Sequence, residues 1–128
     1  MADDSQRDRD RVIGECLAKA GAVEDYPFGD DVAVFKVAGR MFALVPLGSS
    51  EDSPQGSVSL KCDPDLAVDL RGRYAAITAG YHLNKRHWNT VVLDGSVPEE
   101  ELLELIDHSY ELVVASLTKA QRAELLRP

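Results

Sequence analysis

Several short segments alternate hydrophobic and polar residues with the two-residue period that is typical of half-buried β-strands. Residues 32–37 and 41–45 are rich in β-branched and apolar side chains, and the intervening Ala38-Gly39-Arg40 predicts a hairpin turn. Val58 and Leu60 alternate with polar neighbours, which predicts a third strand with one polar face. The pattern therefore predicts an antiparallel sheet.

Near both ends of the chain, apolar residues recur at helical spacing instead. Near the N-terminus they are Val12, Ile13, Cys16, Leu17 and Ala20. Toward the C-terminus they are Leu102, Leu103, Ile106, Tyr110, Val113 and Leu117. The first group predicts an amphipathic helix that Gly21 ends, and the second predicts the longest helix of the chain.

Helix-capping sequences mark the other helix ends. Asp63-Pro64 is an N-cap followed by a first-turn proline, and predicts a short helix that Gly72 closes. Residues 96–99 (Ser-Val-Pro-Glu) and 118–121 (Thr-Lys-Ala-Gln) both match the capping box. They predict the start of the long C-terminal helix and of a short terminal helix.

With two further strands predicted at residues 74–78 and 88–93, the element order indicates an α+β fold. We expect a two-layer arrangement in which an antiparallel sheet packs on the N- and C-terminal helices. The 128 residues fit one domain, which we assign to residues 11–128, and the charged residues 1–10 predict a flexible leader. The sequence contains no apolar run of about 20 residues and no signal-peptide core, so we expect a cytoplasmic protein without a membrane partner. The oligomeric state is left open, and a monomer is favoured.

The charge distribution divides the chain into three parts. The net charge of −8 by itself disfavours a polyanionic partner. Residues 1–30 carry eight acids against four bases and residues 94–128 carry eight against three, whereas residues 31–93 carry six against seven. No acid occurs between Arg71 and Leu93. The acid-free segment from residue 71 to residue 93 is therefore predicted to be electropositive within an acidic protein.

The segment from residue 80 to residue 94 combines the only tryptophan with the densest group of bases. A polar loop is predicted before the strand, and it contains Asn84, Lys85, Arg86 and His87. Those side chains either form a solvated loop or contact phosphates. Trp88 either packs in the core or stacks on an unpaired base.

A second aromatic segment, Tyr26-Pro27-Phe28-Gly29, predicts a tight turn. The two rings either fill the core, which we favour, or line a binding groove.

The sequence contains no phosphate loop, nucleophile elbow or dinucleotide fingerprint. Cys16 and Cys62 predict reduced, buried side chains. Cys62 precedes a predicted helix N-terminus, which can depress a thiol pKa, and His82 or His108 would be its base. The spacing brings none of them together and matches no metal site. We therefore expect no enzymatic activity, metal or cofactor.

Several segments together resemble the MmcQ/YjbR-like family of small bacterial proteins. They are Tyr26-Pro-Phe-Gly29, Val34-Phe-Lys-Val37, Lys61-Cys-Asp-Pro64, residues 80–91 and Asp107-His-Ser-Tyr110. The resemblance covers roughly residues 10–125. It implies a fold similar to that of the frataxin homologue CyaY and a "double wing" mode of DNA binding.

Two hypotheses for function follow. In the first, double-stranded DNA is bound by two hairpin turns, which are the turn at residues 38–40 and the basic loop at residues 84–87. Its contacts are Asn84, Lys85, Arg86, His87, Trp88 and Asn89, with weaker contributions from Lys36, Arg40, Lys61, Arg71 and Arg73. In the second, a sheet face binds a small molecule or a protein partner through Tyr26, Phe28, Tyr81 and Trp88.

Overall fold

A computed structural model describes residues 4–48, 56–80 and 83–126. The helices in these ranges are α1 (Asp4–Leu17), α2 (Pro64–Arg73), α3 (Glu99–Ala115) and α4 (Lys119–Leu125). The strands are β1 (Ala22–Asp25), β2 (Val32–Val37), β3 (Arg40–Pro46), β4 (Ser57–Lys61), β5 (Ile77–Ala79) and β6 (Trp88–Val92). The strands form one sheet in the order β1-β2-β3-β4-β6-β5, and every neighbouring pair is antiparallel. The predicted α+β fold is confirmed.

The hydrophobic core lies between one face of the sheet and the helices. One buried cluster contains Phe35 of β2, Val12 and Cys16 of α1, and Ile106 and Val113 of α3. α2 adds its own apolar side chains to this cluster from the β5 side of the sheet. The helices that close the core therefore form one layer, and the sheet forms the other.

A β-bulge in β3 explains one buried polar residue. Phe35 pairs with Ala43 while Lys36 pairs with Met41, which leaves Phe42 as the extra residue. The hydroxyl of Ser109 on α3 donates to the Phe42 carbonyl at 2.6 Å and accepts from the Lys61 N–H at 2.9 Å. Ser109 thus supplies the hydrogen bonds that the sheet ladder does not make beside the bulge.

The two ends of the chain differ from the sequence prediction. α1 begins at Asp4, so most of the predicted flexible leader is helical, and residues 1–3 lie outside the described ranges. The capping box at Thr118 and Gln121 is confirmed, but the one predicted at residues 96–99 is wrong. Ser96 bonds to Asp94 instead, and Pro98 occupies the N-cap position of α3 without a side-chain bond.

The face of the sheet that points away from the core is defined by strand register. Val34, Leu44, Ser59 and Thr90 are connected through successive strand pairs and so lie on one face. Val34 is fully buried yet lies outside the core cluster. We call this surface the open face. The predicted polar side of the third strand belongs to it, but Ser59 is only 8% exposed, so it is covered rather than solvated.

Candidate nucleic-acid interface

The loop between β5 and β6 presents two cationic side chains to solvent. Lys85 and Arg86 are both exposed. Within the described ranges, neither side chain forms an ion pair or a hydrogen bond. No described carboxylate therefore compensates their charges, and both remain available to an anionic ligand.

Hydrogen bonds from inside and outside the loop hold its backbone in place. The side-chain Oδ1 of Asn84 accepts from the N–H of Arg86 at 2.9 Å. The backbone carbonyl of Asn84 accepts from the N–H of Trp88 at 2.9 Å. From α2, the guanidinium of Arg71 donates to the carbonyl of Lys85. The two cationic side chains thus extend from an ordered turn that is tied to a helix.

Asn89 and Arg71 have a structural role. The Asn89 side chain is 3% exposed, accepts from Nε of Arg71 at 2.7 Å and donates to the carbonyl of Ala67 at 3.3 Å. The prediction that Asn89 contacts DNA is wrong, because its amide is buried and bonded within the protein. Arg71 is committed to the same network and supports the loop rather than extending from it.

Trp88 is also inaccessible. It pairs with Lys61 across β4 and β6, so it lies on the open face, but it is only 8% exposed and is absent from the core cluster. The close approach of Gly80, whose N–H donates to the Trp88 carbonyl at 2.8 Å, adds to this packing. The hypothesis that Trp88 stacks on a base is wrong, because an indole with this little exposed area offers no free ring face.

Two of the predicted cations already have acidic partners. Nζ of Lys36 lies 2.9 Å from Asp25, and this hydrogen bond lowers the pKa of the Asp25 carboxyl. One terminal guanidinium nitrogen of Arg73 lies 3.4 Å from a carboxylate oxygen of Asp69, and the other lies 3.6 Å from a carboxylate oxygen of Glu101. Their charges are compensated, so these two positions are removed from the set of expected phosphate contacts.

The remaining predicted positions are less constrained. Arg40 follows the β2–β3 turn and donates to the neutral hydroxyl of Ser116 at 3.3 Å. The side chain of Lys61, at the end of β4, has no acidic partner among the described residues. His87 is half-buried, and its carbonyl accepts from the N–H of Cys62 at 2.8 Å. A role of the His87 side chain stays a prediction.

The uncompensated cations lie at one end of the sheet, where the strands turn, and we call this end the basic edge. They are Arg40, Lys61, Lys85 and Arg86. Strand directions establish this, because the β2–β3 turn, the end of β4 and the β5–β6 loop all lie at the same end of the antiparallel ladder. Three strand spacings separate the middle of one hairpin from the middle of the other, or about 14 Å. The edge thus has two turns with β4 between them.

Asp63, next to the basic edge, caps a helix, and the acidic first turn of α3 belongs to another layer of the protein. The carboxylate of Asp63 accepts from the N–H groups of Asp65 and Leu66, both at 3.1 Å, and so caps α2. The first turn of α3 carries Glu99, Glu100 and Glu101, and this helix packs on the core face of the sheet. The main acidic helix therefore lies in the layer behind the open face.

The open face contains a cavity of about 390 Å³ that sequence reasoning did not find. Its walls are mostly apolar and consist of Phe28, Val32, Leu44, Pro46, Ser57, Ser59, Leu83 and Thr90. These residues come from four strands, the segment before β2 and the β5–β6 loop. The sequence feature that could have indicated this cavity is the alternation of Ser57 and Ser59 with apolar residues. The same alternation is equally typical of a strand with one solvated face.

Of the three aromatic residues of the ligand-binding hypothesis that the structure describes, only Phe28 lines the cavity. Phe28 lines the cavity and is 62% exposed, so the prediction that this turn fills the core is wrong. The Tyr26 hydroxyl donates to Glu24 instead. Trp88 is buried, and Tyr81 lies outside the described ranges. Among the described residues, the apolar walls of the cavity are therefore mainly aliphatic, with Phe28 as the aromatic one.

Both thiols are in environments that suppress ionisation. Burial raises the pKa of Cys16 to about 12 and that of Cys62 to about 11. The hypothesis of a depressed Cys62 pKa is wrong. His108, one of the two suggested bases, accepts from the N–H of Asp63 at 3.1 Å through Nε2, and His82 lies outside the described ranges.

Across residues 4–48, 56–80 and 83–126, no group of three or more His, Cys, Asp or Glu side chains is placed to hold a metal ion. None of the helices in those ranges combines the length and apolar character needed to cross a bilayer.

The fold and the loop define a class of protein: a small α+β domain with helices on one face of a six-stranded antiparallel sheet and a basic loop at one edge. A family model described as YjbR matches residues 17–112, and the chain belongs to the YjbR family. Protein YjbR of Escherichia coli K12, described as uncharacterized, is 37% identical over 116 residues that cover 91% of this chain and 95% of the relative. Protein YyaQ of Bacillus subtilis is 40% identical and covers 81% of this chain and 96% of the relative.

Solved structures agree with this assignment. Deinococcus radiodurans protein DR2400, with a domain described as DUF419, superposes with a TM-score of 0.82 at 42% identity, over 93% of this chain and 88% of that chain. A Pseudomonas syringae protein superposes with a TM-score of 0.67 at 30% identity, over 81% and 97% of the two chains. The family resemblance predicted from the sequence is confirmed. The descriptions of these relatives name no ligand or activity.

Proposed function

We propose that this protein binds double-stranded DNA through the basic edge, with Lys85 and Arg86 as its principal phosphate contacts. The observation that carries the proposal is the exposure of these two side chains on a hydrogen-bonded loop, without a carboxylate partner among the described residues. Arg40 and Lys61 extend the same edge. Each cation that meets a phosphate releases a condensed counterion, and this release drives association.

The layered charge distribution makes this binding compatible with a net charge of −8. α3 and its first-turn acids lie behind the sheet, so a duplex at the basic edge is kept away from that negative layer. Charges separated by more than about 8–10 Å are largely screened at physiological salt. The local charge at the contact therefore decides binding more than the net charge.

The contacts proposed here are made to phosphates. Because phosphate contacts position a protein on DNA without reading bases, we expect binding with weak sequence preference. Four neutralised phosphates give a slope of about −3.6 in a plot of log Kobs against log salt concentration.

Fluorescence anisotropy with a labelled 20-base-pair duplex, measured between 25 and 200 mM salt, tests the proposal. The double variant Lys85→Ala/Arg86→Ala should bind more weakly, and its salt slope should be smaller in magnitude by about 1.8. Lys119→Ala/Arg122→Ala removes the same charge from exposed positions of α4 and is the matched control.

Absence of binding at 25 mM salt would contradict the proposal. Equal weakening by the two double variants would also contradict it, because the effect would then follow net charge and not the basic edge.

A further inference from the structure

The cavity of the open face has the size and lining of a small-molecule site. Its volume of about 390 Å³ falls within the roughly 300–1,000 Å³ that is usual for ligand pockets. Phe28, Leu44, Pro46 and Leu83 provide apolar walls from three separate segments of the chain. A ligand that fits these walls must have an apolar body.

A few polar groups are placed among these walls. The hydroxyls of Ser59 and Thr90 lie 2.8 Å apart and bond to each other across the strands. The Ser57 hydroxyl has no hydrogen-bond partner among the described residues, although Ser57 is only 7% exposed. Ser57 therefore offers one free hydroxyl at the cavity wall.

Lys61 provides a cation on the same face. It follows Ser59 by two residues on β4, so the two side chains project from one face about 7 Å apart along the strand. Lys61 is half-exposed, and in the described part of the chain its ammonium group meets no carboxylate. Lys61 is not one of the cavity walls, but it occupies the next position on this face of β4 after Ser59, which is a wall. A single cation at this position is complementary to a ligand with one anionic group.

We propose that the open face binds a small apolar monocarboxylate, with its hydrocarbon body between Phe28 and Leu44 and its carboxylate at Lys61. Burial of the hydrocarbon body contributes most of the affinity, because removing apolar surface from water is favourable in proportion to the area buried. The charge of Lys61 selects an acid over a neutral compound of the same shape. The proposal does not depend on DNA binding, although Lys61 belongs to both surfaces.

NMR titration of the isotope-labelled full chain with octanoate, and separately with 1-octanol, tests this assignment. We expect saturable shifts of the backbone amides of Leu44, Ser59 and Thr90 with both compounds. Lys61→Met keeps an apolar side chain of similar length but removes the charge, and should weaken octanoate binding about 5-fold, the upper range for an exposed ion pair, while leaving 1-octanol binding unchanged. Phe28→Ala should weaken binding of both compounds.

Lys119→Met on α4 is the matched control for loss of one exposed charge and should change neither affinity. The proposal is overturned if octanoate produces no saturable shifts or shifts residues away from the open face. It is also overturned if Lys61→Met binds octanoate as well as the unsubstituted chain does. DNA binding by Phe28→Ala, measured in parallel, separates failure of this site from failure of the basic edge.

Discussion

Asn89 illustrates how a single buried amide connects three parts of the protein. It lies on β6, accepts from Arg71 of α2 and donates to the Ala67 carbonyl of the same helix. Arg71 in turn donates to the carbonyl of Lys85. The position of the basic loop therefore depends on a side chain that itself never reaches solvent.

Replacement of Asn89 by Ala should destabilise the protein by about 1–3 kcal/mol, because it leaves a part-buried donor of Arg71 without its partner and removes the side-chain bond to the Ala67 carbonyl. Urea unfolding monitored by circular dichroism measures the change. Lys85→Ala, at an exposed neighbouring position, is the control and should change the free energy of unfolding by less than about 0.5 kcal/mol. If Asn89→Ala lowers the free energy of unfolding no more than the control does, the hydrogen-bond network contributes little to stability.

The sequence predicts residue types at the site better than it predicts their orientation. It identifies Lys85 and Arg86 correctly as exposed loop cations, because long charged side chains in a polar turn have few alternatives to solvent. It assigns Asn89 to the same surface, since an amide next to this loop carries no local sign that its partner is Arg71, 18 residues away. Non-local hydrogen bonds decide which polar residues are buried.

At the scale of elements, the strongly periodic segments were the predictable ones. The β2–β3 hairpin, β4, β6 and α3 all match the predicted positions within a few residues. β1 was missed, because its four residues, Ala22–Asp25, show too little alternation and owe their strand conformation to pairing with β2. α1 extends further toward the N-terminus than its apolar stripe, since the charged residues of its first turns carry no burial signal.

Gly80 is required by the contact between β5 and β6. An added Cβ atom there would lie 2.7 Å from the Trp88 Cβ and 3.1 Å from the Trp88 carbonyl oxygen. Both belong to a paired strand and cannot move away without cost. We expect Gly80→Ala to destabilise the protein by about 1–3 kcal/mol.

Gly72, in the last turn of α2, is the matched control for this substitution. No atom lies within 4 Å of its added Cβ, and a helical position favours alanine over glycine by up to about 1 kcal/mol. Gly72→Ala should therefore raise the midpoint of thermal unfolding, whereas Gly80→Ala should lower it. Shifts of the same sign for both variants would argue against the steric explanation.

At the scale of the whole molecule, the two buried thiols link folding to alkaline pH. An unfolded cysteine ionises near pH 8.5, whereas burial raises the folded pKa of Cys62 to about 11 and that of Cys16 to about 12. Above pH 8.5 the native state keeps both protons while the unfolded state loses them. The contribution of the two thiols to stability is therefore fully present below about pH 8.5 and is lost as the pH rises toward the folded pKa values.

Between pH 8 and pH 9.5 the free energy of unfolding should fall by about 1 kcal/mol for each thiol. Urea titrations at several pH values measure this fall. Cys62→Ala removes one of the two groups and should make the fall about half as steep, even if the variant is less stable throughout. A stability that is constant over this range would contradict the linkage.

Separation of charge is likewise a property of the whole molecule. The sequence locates acids at the two ends of the chain and bases in its centre, but only the packing of α1 and α3 on one side of the sheet converts that distribution into two different surfaces. The open-face cavity could not be foreseen in the same way, because its walls come from segments that are distant in sequence.

The outer strands of the sheet have a consequence for behaviour at high concentration. β5 has three residues, and β1 has four, of which Glu24 and Asp25 are acidic. A further polypeptide that tried to extend the sheet would gain few backbone hydrogen bonds at one side and would meet carboxylates at the other. Growth of the sheet into intermolecular β-aggregates is thereby discouraged at both margins.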